Sequence, residues 1–153
     1  MLSKLRDSSP PTTATAIEEF ERPRGLVLPP LYKEFLLAAN GGVPEEPAFP
    51  VQGIAAYSVG VIQVFFGIGA RHPMPDLAEI YDFYATGIPP HLIPIADNGG
   101  GDYVCLDLRA GRERVAFWDK RHFWGTGEWR ESDLYHVANS FEEFLASLRP
   151  NPY

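Results

Sequence analysis

Ile93-Pro94-Ile95-Ala96-Asp97-Asn98-Gly99-Gly100-Gly101-Asp102-Tyr103-Val104-Cys105-Leu106-Asp107-Leu108 is the stretch on which the fold turns. Both ends are apolar, and the middle is Asp, Asn and three consecutive glycines. Leu92 to Ala96 reads as a strand, Asp97 to Asp102 as a turn whose glycines supply positive φ, and Tyr103 to Leu108 as the returning strand of a hairpin. Tyr103, Cys105 and Asp107 alternate with Val104, Leu106 and Leu108, the period-two pattern of a half-buried strand. Arg109-Ala110-Gly111-Arg112 turns the chain again into Val115 to Asp119. With loops this short, three neighbouring antiparallel strands are the simplest topology.

Helical signals flank this centre. Thr15-Ala16-Ile17-Glu18 has the spacing of a capping box, which predicts a short helix from Ala16 to about Glu21 that Pro23 ends. Pro29-Pro30 suits the first helical position, and Leu31, Tyr32, Phe35, Leu36 and Ala39 follow at helical spacing, with Asn40-Gly41-Gly42 as a left-handed stop. Val43 to Pro50 holds three prolines and reads as a loop, and Val61 to Phe66 as a strand. Pro75-Asp76 opens a helix with Leu77, Ile80 and Tyr84 on one face. Ser140-Phe141-Glu142-Glu143 is a second capping box, heading a helix whose stripe is Phe141, Phe144, Leu145 and Leu148 and which Pro150 ends. The pattern predicts an α+β fold, a single domain with helices packed on a central antiparallel or mixed β-sheet over residues 15–150. Residues 1–14, polar and proline-bearing, read as a flexible N-terminal arm.

Length and charge narrow the function classes. The chain has 153 residues, 45% hydrophobic and 22% charged, with one cysteine and a formal net charge of −7. That length supports a core without metal or disulfide help, and Cys105 alone cannot form an internal disulfide. Acidic charge disfavours direct contact with phosphate backbones. The longest apolar run, Val59 to Ala70, is broken by Gln63 and three glycines and is too short for the ~20 residues of a membrane span. Ser8-Ser9-Pro10-Pro11 stands where an export signal needs apolar residues. The expectation is a cytoplasmic protein with no membrane and no direct nucleic-acid partner.

The order of segments resembles the SUKH superfamily, also called the SMI1/KNR4 family. The resemblance rests on Ile17-Glu18-Glu19-Phe20-Glu21, Gly25-Leu26-Val27-Leu28-Pro29, Tyr32-Lys33-Glu34-Phe35-Leu36 and Asn40-Gly41-Gly42. It continues through the hairpin at 93–107, and ends with Val115-Ala116-Phe117-Trp118-Asp119 and Ser140-Phe141-Glu142-Glu143-Phe144-Leu145. Residues 15 to 149 carry it; the stretches Val43 to Ser58 and Lys120 to Asn139 are not distinctive. It implies an α+β fold and, for many bacterial members, an immunity protein that binds and neutralises a polymorphic toxin, a nuclease being one candidate class. Other members of the family are implied to act as regulatory or scaffold interaction modules.

Chemical motifs are sparse. His72, His91, His122 and His136 lack a second ligand at metal-binding spacing, and Asp97, Asp102 and Asp107 lack the alternating ligands of a calcium loop. Gly67-Ile68-Gly69 lacks the third glycine and the helix of a dinucleotide fingerprint, and Cys105 has no activating neighbour in its pattern. The reading is therefore no catalytic residue, no cofactor and no metal; an enzyme would need a dispersed site without a motif. Trp118 to Glu131 gathers all three tryptophans with seven charged or histidine side chains. Trp118 continues a strand and fills the core, while Trp124 and Trp129 sit beside Gly125-Thr126-Gly127, free to face a partner. The expected partner-binding residues are Trp124 and Trp129 as anchors, with Glu128, Glu131, Asp97 and Asp102 supplying negative charge to a protein partner, a cognate toxin. The sequence leaves the oligomeric state open.

Overall fold

The computed structural model describes residues 4–153. The chain runs β1 (Leu5–Arg6), α1 (Ala14–Arg24), α2 (Pro30–Ala38), β2 (Val43–Pro44), β3 (Ala48–Pro50), β4 (Val59–Val61) and β5 (Val64–Phe65). It continues through α3 (Leu77–Tyr84), β6 (Leu92–Asp97), β7 (Tyr103–Asp107), β8 (Arg114–Trp118) and α4 (Arg121–Thr126). A 3-10 turn (Glu131–Asp133), β9 (Leu134–Ala138) and α5 (Phe141–Ser147) close it. Strands β5 to β9 form one antiparallel sheet in sequence order, and β1–β2 and β3–β4 are separate antiparallel ribbons. The expected α+β domain is present, and every named strand pair is antiparallel.

The β6–β7–β8 centre follows the period-two reading. Tyr103 faces Trp118, Cys105 faces Ala116 and Asp107 faces Arg114 across the β7–β8 ladder. Pro94 sits beside a register shift between Pro94 and Ala96, a place where a strand tolerates a residue with no amide hydrogen. Val104, Leu106, Val115 and Phe117 point into the main core with Phe35, Phe49, Phe65, Phe141 and Phe144. These rings meet edge to face, as in Phe35 with Phe141 at 5.2 Å and Phe49 with Phe144 at 5.8 Å between centroids. Each fully buried ring of this kind contributes about 2–3 kcal/mol.

The alternate face differs from the half-buried expectation. Cys105, Ala116 and Trp118 are also fully buried, in a second cluster with Tyr84, Ile88, Leu92 and Leu134, against which Phe123 and Trp129 pack. The cover comes from the end of α3 and from the segment between β8 and β9. That segment reads as an undistinguished loop in sequence, yet it holds α4 and leads into the fifth strand of the sheet.

Local corrections have local causes. The N-cap of α1 is Thr13, whose Oγ1 accepts from the Ala16 N–H at 3.1 Å, two residues before the capping box read from sequence. Pro23 lies inside α1, which ends one residue later on Gly25 in the left-handed region (φ 64°). Val61 to Phe66 is not one strand: the Ile62 N–H donates to Pro47 C=O and the Gln63 N–H to Asp97 C=O, so the chain leaves the β3–β4 ribbon and joins the sheet there. The stretch 43–50 carries two short strands. Helix α2 ends on Ala39 in an extended conformation, and Gly41 (φ 71°) serves a close approach instead, since a Cβ there would lie 2.8 Å from Phe65 O and Gly67 N.

Of the arm expected over 1–14, residues 1–3 lie outside the described residues, and the remainder lies along the domain. Leu5 and Arg6 pair with Pro44 and Val43. The Ser9 N–H donates to Asn40 C=O at 3.0 Å, and Asn40 Nδ2 donates to Pro10 C=O at 2.9 Å and Ile68 C=O at 2.8 Å, while Asn40 Oδ1 accepts from the Ile68 N–H. The buried Asn40 thus ties two other chain segments, Ser9–Pro10 and Ile68, to its own.

Candidate functional site

The end of the sheet where β7 begins and β8 finishes places a lysine among aromatic rings. Trp118 is the last residue of β8, and two residues on, Lys120 is only 1% exposed. Its Nζ donates to Tyr84 Oη at 2.6 Å and lies 3.6 Å from the centre of the Tyr103 ring, 4.7 Å from Tyr84 and 4.9 Å from Trp124. Among the described residues no carboxylate lies within 4.0 Å of this ammonium. Burying an ammonium without a counter-ion is costly. Ring faces offset part of that cost, desolvated cation–π contacts being worth ~2 kcal/mol or more.

Trp124 roofs this cage from α4 and is itself 63% exposed. On its other side it meets the glycine turn: a methyl group in place of the Gly101 hydrogen would sit 3.9 Å from Trp124 Nε1. That turn is built from its own side chains. Asp97 Oδ1 accepts from the Gly99 N–H at 3.0 Å, and Asn98 Oδ1 accepts from the N–H groups of Gly100 and Asp102 at 2.8 and 3.1 Å. Gly99 (φ 77°) and Gly101 (φ 100°) adopt the positive φ expected of them. Asp102 Oδ1 then accepts from the Lys120 N–H at 2.8 Å, tying the turn to the cage.

The two turn carboxylates are partly desolvated, and burial raises both pKa values. For Asp97 the Gly99 amide opposes the rise, and for Asp102 the Lys120 amide does. Neither forms an ion pair among the described residues. Asp119, next to Lys120, is held below the ordinary carboxylate range by Arg121, which donates to it at 2.8 Å.

Of the six residues singled out in the sequence, Asp102 and Trp124 meet at Lys120, the first accepting from its backbone N–H and the second covering its ammonium, while Asp97 closes the glycine turn and lines a separate cleft with Gln63 and Met74. Trp129 turns inward instead, its ring 5.6 Å from that of Trp118. Glu131 lies toward the opposite end of β7 and β8, gripped by Arg109 at 2.8 and 2.9 Å and by Arg112 at 2.9 Å, in a network with Asp107 and Arg114. Arg109 holds the Glu131 carboxylate below its usual range. Glu128 is exposed beyond α4, its N–H donating to Thr126 Oγ1 at 3.1 Å. Sequence reasoning missed Lys120, Tyr84 and Tyr103 as a unit. They are 36 residues apart at the extremes, and no local pattern joins them.

Among the described residues no three His, Cys, Asp or Glu side chains gather as metal ligands. Cys105 is fully buried, and that burial pushes its thiol pKa far up, so the thiol stays protonated at neutral pH. Among the same residues no helix is long and apolar enough to cross a membrane.

The sequence model of the SMI1 / KNR4 family (SUKH-1) matches residues 11–147. The SPbeta prophage-derived uncharacterized protein YokK of Bacillus subtilis (strain 168) is 33% identical over 92 residues, 60% of this chain and 43% of that protein. The chain thus aligns with less than half the length of that relative.

Proposed function

The chain belongs to the SMI1/KNR4 family (SUKH-1), and from that premise we propose that it is an immunity-type protein, which binds a toxin and neutralises it by covering the toxin's active site. It makes and breaks no bonds itself. The observation that carries this reading is Trp124: a large aromatic ring, mostly exposed, seated over the buried Lys120, whose backbone N–H is held by the Asp102 carboxylate. A preordered tryptophan loses little conformational freedom on binding, and such residues dominate the energy of interfaces.

The charge of the chain points to the kind of partner. A net −7 attracts a basic surface and speeds encounter with it. A nuclease must hold phosphate in a basic cleft, and an acidic protein can occupy that cleft over roughly 800 Å² per partner.

The test is co-expression with the product of the adjacent open reading frame. A stoichiometric complex, with relief of toxicity that Trp124→Ala weakens, supports the reading. A purified chain that neither binds nor protects against that product overturns it.

A further inference from the structure

Strand β4 offers an unpaired backbone edge. Ala48, opposite Val61, exchanges both of its backbone bonds with Arg149, each at 2.9 Å. Antiparallel alternation therefore turns the N–H and C=O groups of Val59 and Val61 away from β3. The flanking bonds have the same phase, with the Val51 N–H donating to Ser58 C=O and the Ile62 N–H to Pro47 C=O. The ribbon has two strands only, so among the described residues these outward groups meet no third strand. Proteins usually blunt such edges with charge, proline or a bulge, and Val59-Gly60-Val61 has none of these.

Beyond the edge lies a cleft of about 400 Å³ whose far wall is Asn98 and Asp102, with Tyr57 and Tyr153 also lining it. Val64 faces Asp97 in the sheet, so a ladder continued in register would bring the glycine turn against β4. The turn instead curls toward Lys120, held by the Asn98 and Asp102 bonds, and a slot is left between turn and edge. Its charge is one-sided: Asp102 lines it and has no ion-pair partner among the described residues, while of the two neighbouring cations Arg121 is engaged by Asp119 and the Lys120 ammonium is turned to Tyr84.

We propose that this slot docks an extended, basic segment of a protein partner, which adds as a strand along Val59–Val61 and presents a lysine or arginine to Asp102. The proposal rests on the reading that the chain binds a protein, and adds the edge and the chemistry of the segment. Strand addition supplies affinity through main-chain bonds and specificity through alternate side chains.

The probe is a blocked hexapeptide, Val-Arg-Val-Arg-Val-Arg, titrated into the isotope-labelled full chain. Chemical-shift changes and slowed amide exchange should centre on Val59 and Val61. Val61→Pro removes one outward donor without touching the β3 ladder and should weaken binding about tenfold. Asp102→Asn should erase the preference for this peptide over its glutamate counterpart. Should Val61→Pro fail to fold, a peptide N-methylated at alternate amides makes the same test from the ligand side, and one of the two methylation patterns should abolish binding. Shifts confined elsewhere, equal binding of the glutamate peptide, or indifference to both methylation patterns would overturn the proposal. A toxin that binds Val61→Pro as tightly as the unaltered chain overturns the slot and leaves the immunity reading standing. Peptide bound in the slot with no toxin found does the reverse.

Discussion

Lys120 Nζ donates to the hydroxyl of Tyr84 at 2.6 Å, the one hydrogen bond this buried ammonium makes among the described residues. The bond joins the end of α3 to the end of β8, and it makes the second face of the sheet depend on a polar contact.

Removing the acceptor should cost more than removing the charge. Tyr84→Phe leaves a buried ammonium without an acceptor and should cost about 1–3 kcal/mol. Lys120→Met keeps the volume and discards the charge, so its cost should be smaller, and Lys120→Met with Tyr84→Phe should be less destabilised than the sum. Urea unfolding of the three variants checks this, and additive losses would refute it.

The two tryptophans of the β8–β9 segment should separate cleanly. Trp124→Ala removes a mostly exposed ring together with one of the cation–π contacts of Lys120, and should cost about 1 kcal/mol of stability while weakening partner binding by about 2 kcal/mol, near thirtyfold. Trp129→Ala opens a gap against Trp118 and should lose at least ~2 kcal/mol of stability. Paired thermal melts and binding titrations measure both.

Two glycines with positive φ predict unequal penalties. Gly25→Ala meets nothing within 4 Å and should cost ~1 kcal/mol for its left-handed backbone alone. Gly41→Ala adds a collision with the backbone of Phe65 and Gly67, which cannot swing aside, and should cost about 3 kcal/mol or more. Comparable denaturation midpoints for the two would contradict the close approach.

The Asp107–Arg109–Glu131 network sets an acid-sensitive contribution. Arg109 and Arg114 hold the buried Asp107 carboxylate below its ordinary range despite the opposing effect of burial, and Arg109 does the same for Glu131. A depressed folded pKa stabilises above the unfolded value and is lost as pH falls through the folded one. The stability gap between the unaltered chain and Asp107→Asn should therefore be complete at neutral pH and close as pH drops below ~4. Asp97 and Asp102, whose pKa values are raised, work in the opposite direction: the folded chain takes up their protons first and gains stability as pH falls toward the ordinary carboxylate range. Asp97→Asn should remove part of that gain, which a pH series of unfolding curves reads directly.

Legibility in the sequence followed the range of the interactions. The β6–β7–β8 meander, α2 and α5 announce themselves through period-two or helical spacing, prolines at helix starts and a serine cap. Ser140 Oγ does accept from the Glu143 N–H, at 3.0 Å. β9 escaped notice because Leu134-Tyr135-His136-Val137-Ala138 does not alternate cleanly, and its pairing with β8 shifts register between Val115 and Ala116. Trp129 and Glu131 look like solvent-facing residues in a glycine-flanked, charged stretch; only Trp118 and the three arginines show where they go.

Local chemistry in the chain was enough to settle the α+β class, the central hairpins and the glycine turn, because each depends on residues a few positions apart. The burial of both sheet faces, the enclosure of Lys120 and the meeting of Asp102 and Trp124 at that lysine were decided only in three dimensions. They arise where β8, α3 and the β6–β7 turn meet, and the energy of a charge among rings depends on groups that sequence neighbours do not supply.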